Sequence, residues 1–372
     1  MAIAALRMMF HGKLKMIGTL FGVVFAVILS NQQAGTFLGL MQKSTMLIDN
    51  AGADIWLAPQ GTMQVQAGGI LPITAAARAR VTPGVQWSEP LIFAGATVKR
   101  PDGGTEGVSV IGVKWPAGKG GPWNVVSGDK NALGDPDTMV FEDSQRDKYG
   151  GMNLGSVREV NGRAVRAGAF TWGLVPFGPS YAFAEYDLAR LISRTDSDRT
   201  HFVLVGVEPG KDPKQVAEAL RAQVPEAVVY TKAEFKRSSI MFVLTRTAIG
   251  ITFGTATLFG LIVGFVIVSL TMFSSVIDNL REFGTLKAIG GTTGDIAVLL
   301  LVQSVMYASM GSVLGLAVVS LMANGIRSAQ MALNLSAPLF GATVILMLLL
   351  CIFASTLSML RIRKLEPAMV FR

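Results

Sequence analysis

Residues 247–277 read TAIGITFGTATLFGLIVGFVIVSLTMFSSVI, 31 positions without one charged side chain. A helix of about 20 apolar residues crosses a hydrocarbon layer about 30 Å thick, so this run can span a bilayer with some tilt. Three other stretches behave alike. Residues 296–326 and 328–360 also lack charge, and so does 16–42, whose apolar core is 16–30. Composition agrees: 51% of the 372 residues are hydrophobic and 16% are charged, against about 25% charged in soluble domains. The expected fold is an α-helical membrane protein with four transmembrane helices and an α+β domain inserted between helices 1 and 2.

The charge of +8 is unevenly placed. Residues 43–240 carry 22 Lys and Arg against 21 Asp and Glu, so the excess positive charge lies beside the apolar runs. A nucleic-acid-binding protein would concentrate its basic residues on the soluble domain, so no nucleic-acid partner is expected. Arg7, Lys13 and Lys15 precede the first run, Arg281 and Lys287 lie between the second and third, and Arg361, Arg363, Lys364 and Arg372 follow the fourth. Basic residues at span ends mark the cytoplasmic side. Both termini are therefore expected in the cytoplasm, with the 43–240 domain on the periplasmic side of the inner membrane. Residues 14–42 are expected as the first span and its stalk, retained as an anchor because no small-x-small cleavage site follows it. Residues 1–13 read as an amphipathic helix with Ile3, Leu6 and Phe10 on one face and Arg7 and Lys13 toward lipid headgroups.

Glycines recur at four-residue spacing inside the runs. Gly250 and Gly254, Gly260 and Gly264, and Gly311 and Gly315 are candidate helix-packing positions, since a helix without Cβ atoms on one stripe lets a neighbour approach closely. The spans carry no interior charge, so the ionisable group that ion-coupled transporters keep there is missing.

In the domain, residues 54–57 read as a strand, 74–81 as a short helix with Thr74 as its cap, and 91–99 and 107–113 as strands around the turn Pro101-Asp102-Gly103-Gly104. Residues 118–200 are turn-rich and give no clear assignment. Strand 201–207, helix 212–224 and strand 228–230 form a β-α-β unit of the ferredoxin-like kind. Residues 234–245 read as a helix running straight into the second span (241–277 as stalk and span), and 36–47 as its counterpart on the first. Trp87, Trp115, Trp123 and Trp172 are expected in the core or at an interface. One cysteine, two distant histidines and no carboxylate pair leave neither a catalytic nor a metal site, and no cofactor is expected in this chain.

Residues 281–291, REFGTLKAIGG, are the most informative segment. Phe283, Leu286 and Ile289 fall on or near one face of a short helix, with Arg281, Glu282 and Lys287 polar, Gly284 within it and Gly290 ending it. The segment resembles the signature of FtsX-like permeases, the membrane subunits of MacB-type (type VII) ABC transporters. The tail Leu365-Glu366-Pro367-Ala368 resembles theirs, and AGADIWLAP at 51–59 resembles the DevC-type branch, associated with glycolipid export.

The resemblance implies that 278–292 is a cytoplasmic coupling helix, with spans 293–326 and 328–360 and a cytoplasmic tail 361–372 after it. It implies a cytoplasmic P-loop ABC ATPase as partner, which would bind ATP and Mg, and a second permease copy. It also allows a periplasmic adaptor, an outer-membrane exit duct and membrane lipid. This chain has no P-loop of its own: the Gly-Lys pairs at Gly12, Gly118 and Gly210 are followed by Leu14, Gly120 and Asp212, where G-x-x-x-x-G-K-[ST] needs Ser or Thr. The expected function is ATP-driven mechanotransmission to the periplasmic domain, exporting a lipid-like or other periplasmic substrate. The alternatives are an FtsX-like regulator of a cell-wall hydrolase and a membrane-anchored sensor working without an ATPase.

Overall fold

The computed structural model describes residues 13–129, 131–176, 178–278, 284–285, 290–325 and 334–362. The amphipathic helix expected over 1–13 and the tail 363–372 lie outside them, Lys13 apart. The chain divides into two compact units: the long apolar helices, and the inserted domain from Leu40 to Gly250.

Among the described residues four helices are long and apolar enough to cross a membrane, over Met16–Ser44, Ala248–Leu270, Gly294–Ala323 and Ala337–Thr356. The first belongs to α1 (Lys13–Ser44), which ends where Ser44 Oγ donates to Met41 O at 2.7 Å and Thr45 N to Gln42 O at 3.3 Å. A one-turn helix, α2 (Met46–Asn50), then leads into the domain. The stalk expected over 36–47 is thus interrupted at Thr45.

In the domain β1 (Ile55–Pro59), β2 (Leu71–Pro72) and α3 (Thr74–Arg80) come first. Thr74 is the first helical residue of α3, while Ile73 holds the cap position without a side-chain bond, so the cap expected of Thr74 is not made. Next come β3 (Val85–Lys99), β4 (Thr105–Val113), β5 (Val125–Gly128), β6 (Thr138–Glu142), β7 (Val157–Val160), β8 (Arg163–Thr171) and β9 (Tyr181–Glu185). They are followed by α4 (Tyr186–Ser193), β10 (Arg199–Thr200), β11 (Phe202–Val207), α5 (Pro213–Gln223), β12 (Ala227–Thr231) and α6 (Lys232–Arg246).

The main sheet runs β12-β1-β11-β3-β4-β9-β6-β8-β5, with β7 bonded to both β3 and β8. That double pairing closes β3, β4, β9, β6, β8 and β7 into a ring, and closure removes exposed edges. The β7–β8 hairpin turns on Asn161 and Gly162, at φ +46° and +84°, the conformation that favours Asn-Gly in two-residue hairpins. Inside the ring lie Val98, Val108, Val110, Phe141, Val160, Val165 and Phe170, with Ala189 and Ile192 of α4 against them. Gly112 permits this approach, because a Cβ there would stand 2.3 Å from Ala189 Cβ.

The rest of the sheet is layered. Strand β11, helix α5 and strand β12 form the expected β-α-β unit, but β1 lies between the two strands, antiparallel to each. Ile55 and Leu57 of β1 face α3 and α5 through Ala75, Ala79, Val216 and Leu220. The alternate residues Trp56 and Ala58 enter a second core with Leu47, Ile48 and Phe235. Period-two alternation gives each face of the strand its own core, and both are buried.

Helix α7 (Ala248–Asp278) does not continue α6: Thr247, at φ −113° and ψ 145°, separates them. Its hydroxyl donates to Val243 O at 2.7 Å and accepts Gly250 N at 3.2 Å, starting the new helix. Helix α8 spans Thr293–Gly325 and α9 spans Ala337–Ile362. The fourth span expected over 328–360 therefore begins at 337, with Pro338 in the first turn, where a missing N–H costs no helical bond.

Candidate functional site

Of the expected coupling helix, Arg281, Glu282, Phe283, Leu286, Lys287 and Ile289 lie outside the described residues. Gly284 and Thr285 are helical. Gly290 has φ +99°, the left-handed conformation that ends helices and favours glycine. Immediately afterward Asp295 N donates to Thr292 Oγ1 at 3.2 Å and Thr292 N to Asp295 Oδ2 at 2.9 Å. This reciprocal box opens α8. The segment between α7 and α8 thus ends in a positive-φ glycine followed directly by a helix start.

The two ends of the inserted domain are tied to each other. Lys236 Nζ on α6 lies 2.9 Å from both carboxylate oxygens of Asp49 on α2. Lys232 Nζ donates to Asp49 O at 2.9 Å, and Thr45 Oγ1 to Asp49 Oδ2 at 2.9 Å. Below this polar clasp Phe235 packs against Trp56 at 5.4 Å between centroids and stacks on Tyr230 at 5.1 Å. Helix α6 owes its position to a capping box, in which Thr231 N donates to Glu234 Oε2 and Glu234 N to Thr231 Oγ1. The helix entering the domain and the helix leaving it are therefore anchored on one sheet by shared side chains.

The apolar unit has a glycine seam around α1. A Cβ on Gly311 would stand 2.4 Å from Val23 Cγ1, and one on Gly315 2.6 Å from Val27 Cγ1. On α7, a Cβ on Gly260 would stand 3.0 Å from Gln33 Cγ, one on Gly264 3.5 Å from Ser30 Oγ, and one on Gly254 4.0 Å from Phe37. Gly250 is different: its near atoms are Val243 O and Leu244 Cα, so it serves the bend after Thr247 rather than a helix pair. Val23, Ala26, Val27, Val268, Ala308, Met347 and Cys351 form the common core of these helices.

Two of the domain's buried ionisable groups, Glu142 and Tyr149, are held by structural bonds. Glu142 is fully buried and accepts from Ser144 Oγ, Thr171 Oγ1, Gly173 N and Leu174 N at 2.7–3.1 Å. Its oxygens are occupied in holding the loop after β8. Tyr149 shares a 2.7 Å hydrogen bond with Ser180, and burial pushes its hydroxyl up to about 12. Burial also lowers the pKa of His201. Among the described residues no three His, Cys, Asp or Glu side chains converge as a metal site would need. Sequence reasoning did not single out Asp49, Lys232 or Lys236, and no local pattern marks a pair 187 positions apart.

Comparison with known proteins adds the following. Residues 254–367 match the FtsX-like permease C-terminal family. The chain is 24% identical over 385 residues to an uncharacterised ABC transporter permease of Mycobacterium tuberculosis, covering 100% of this chain and 99% of the relative. It is 28% identical over 136 residues to an uncharacterised ABC transporter permease of Methanocaldococcus jannaschii, covering 34% of this chain and 33% of the relative. Among solved structures it is similar to the periplasmic region of MacB from Actinobacillus actinomycetemcomitans, with TM-score 0.39 and 12% identity over 51% of this chain and 94% of that one. A second is the extracellular domain of the noncanonic ABC-type transporter YknZ from Gram-positive bacteria, with TM-score 0.36 and 12% identity over 47% and 92%.

Proposed function

Because this chain is an ABC transporter permease of the FtsX-like family, we propose that it is the non-catalytic membrane subunit of an exporter whose energy comes from a separate cytoplasmic ATPase. That partner binds ATP and Mg and acts on the 278–292 segment. Its closure shifts the spans, and the inserted domain changes shape on the periplasmic side of the inner membrane. The cargo is lipid-like or another substrate met on that side, handed to an adaptor and exit duct where these are present, and a second permease copy completes the assembly.

The observation that supports this reading is the clasp at Asp49. A domain hung on two independent tethers would absorb a displacement of either helix in its connections. Here Lys232, Lys236 and Phe235 of α6 and Asp49 of α2 meet over the sheet residue Trp56, so displacement of one helix is delivered to the sheet together with the other.

The test is purification of the tagged chain in gentle detergent from its native membrane, with mass spectrometry of what accompanies it. A P-loop ATPase in stoichiometric amount, lost on Arg281→Glu or Glu282→Arg while the chain still inserts, is the expected result. Preparations free of ATPase even after crosslinking would overturn the reading. A cell-wall hydrolase recovered in place of an adaptor would replace export with regulation.

A further inference from the structure

Among the described residues of the long apolar helices, two polar side chains have no exposed surface, Asn31 and Ser304, and the first is an amide. Asn31 of α1 has no exposed surface. Its Nδ2 donates to Val27 O one turn earlier at 2.9 Å, which leaves Oδ1 aimed away from its own backbone. Thr343 of α9, itself 5% exposed, brings its hydroxyl to 3.3 Å from Asn31 Oδ1 while sharing that proton with Leu339 O at 2.9 Å. One turn along α1, Gly35 O accepts the backbone N–H of Asn334, just before α9 begins. Two hydrogen bonds from one turn of α1 therefore reach α9 and the residues that lead into it.

Buried polar groups within membrane helices are costly, and they face other helices where they find partners. A helix needing only bulk at this position would carry Leu or Val. On the α8 side, Val23 and Val27 fit against Gly311 and Gly315, which fixes the azimuth of α1 but is shape alone. The Asn31–Thr343 bond adds an axial constraint, because a slide of α1 by a fraction of a turn separates Oδ1 from the hydroxyl and leaves both buried without each other.

We infer that Asn31 is a positioning residue that locks α1 in axial register with α9, so that α1 moves together with the α8–α9 pair. Since α1 leads through the break at Thr45 to α2, the inference rests on the coupling reading for its consequence: the route from the cytoplasmic side to the inserted domain passes through α8 and α9 into α1. The register itself is a property of the chain alone and can be tested without any partner.

The experiment uses the full chain in lipid nanodiscs with Cys351→Ala and spin labels at two exposed positions, Phe21→Cys on α1 and Leu349→Cys on α9. Pulsed electron paramagnetic resonance is expected to give one narrow α1–α9 spacing. Asn31→Val should broaden or shift it, Thr343→Val should do so more weakly, and the exchanged pair Asn31→Thr with Thr343→Asn should restore it, which a general loss of packing would not allow. A spacing unchanged in both single variants overturns the inference. With the ATPase present, a second label pair, Phe21→Cys and Leu258→Cys, reads α1 against α7. ATP should alter this spacing and leave α1–α9 fixed, except in Asn31→Val, where α1–α9 should become responsive. An α1–α9 spacing that changes with ATP in the unsubstituted background also overturns it. If ATP alters neither pair, the lock stands and the coupling reading fails.

Discussion

Lys236 Nζ stands 2.9 Å from each carboxylate oxygen of Asp49, 187 positions away in the chain. The two residues sit on the helices by which the inserted domain is entered and left, so the pair joins its two connections. The arrangement is partly shielded, with side-chain exposures of 43% for Lys236 and 29% for Asp49. Its electrostatic contribution is accordingly modest, and its value lies in geometry.

Replacing Lys236 by Met should lower the stability of the domain by about 0.5–1 kcal/mol after allowance for solvent screening. Asp49→Ala should cost about 1–2 kcal/mol, because Thr45 and Lys232 are disturbed as well. The thermal midpoint of the intact chain in detergent, followed by tryptophan fluorescence, measures both. The Lys236→Met loss should shrink in concentrated salt. Equal midpoints for all three proteins would remove the clasp from the account.

Gly311→Ala is expected to destabilise the packing of α1 against α8 by about 1–3 kcal/mol, since its new Cβ would stand 2.4 Å from Val23 Cγ1. Adding Val23→Ala removes that contact and should recover part of the loss, because the Val23 Cβ at 2.8 Å remains tight. The fraction of monodisperse protein after heating in detergent reports the effect. A single variant as stable as the parent, or a double variant worse than the single, would speak against this helix pair.

Tyr149 makes the domain sensitive to alkali. Burial raises its folded pKa from about 10 to about 12. Below pH 10 both states are protonated and the stabilisation is fully present. Between about pH 10 and 12 only the unfolded chain loses the proton, so stability falls, by roughly 2–3 kcal/mol at the upper end. Chemical denaturation across that range should show the slope, and Tyr149→Phe should remove this residue's share. Tyr181, raised by complete burial, titrates in the same direction and supplies what remains.

Legibility differs sharply between the two units. The apolar helices could be read directly, because a run of about 20 apolar residues has few other stable solutions. Their ends were less clear: Thr45 and Thr247 interrupt helices that hydropathy alone would continue, through local hydroxyl and backbone bonds. In the domain, the β-α-β order was legible, while the insertion of β1 between its strands was not. Asn161-Gly162 carried a hairpin signal within the turn-rich stretch. Even so, nothing local could have paired Val160 of that hairpin with Val98 on β3 and so closed the ring.

The amino-acid sequence by itself determined that this is a membrane protein with a large domain between its first two spans. Those properties follow from run length and charge placement, both of which are local or compositional. Tertiary structure alone decided that Asp49 meets Lys236, that Asn31 meets Thr343, and which glycines face α1. Such partners are selected by packing and desolvation across hundreds of positions, and a pairwise contact of that kind leaves no periodicity in either segment.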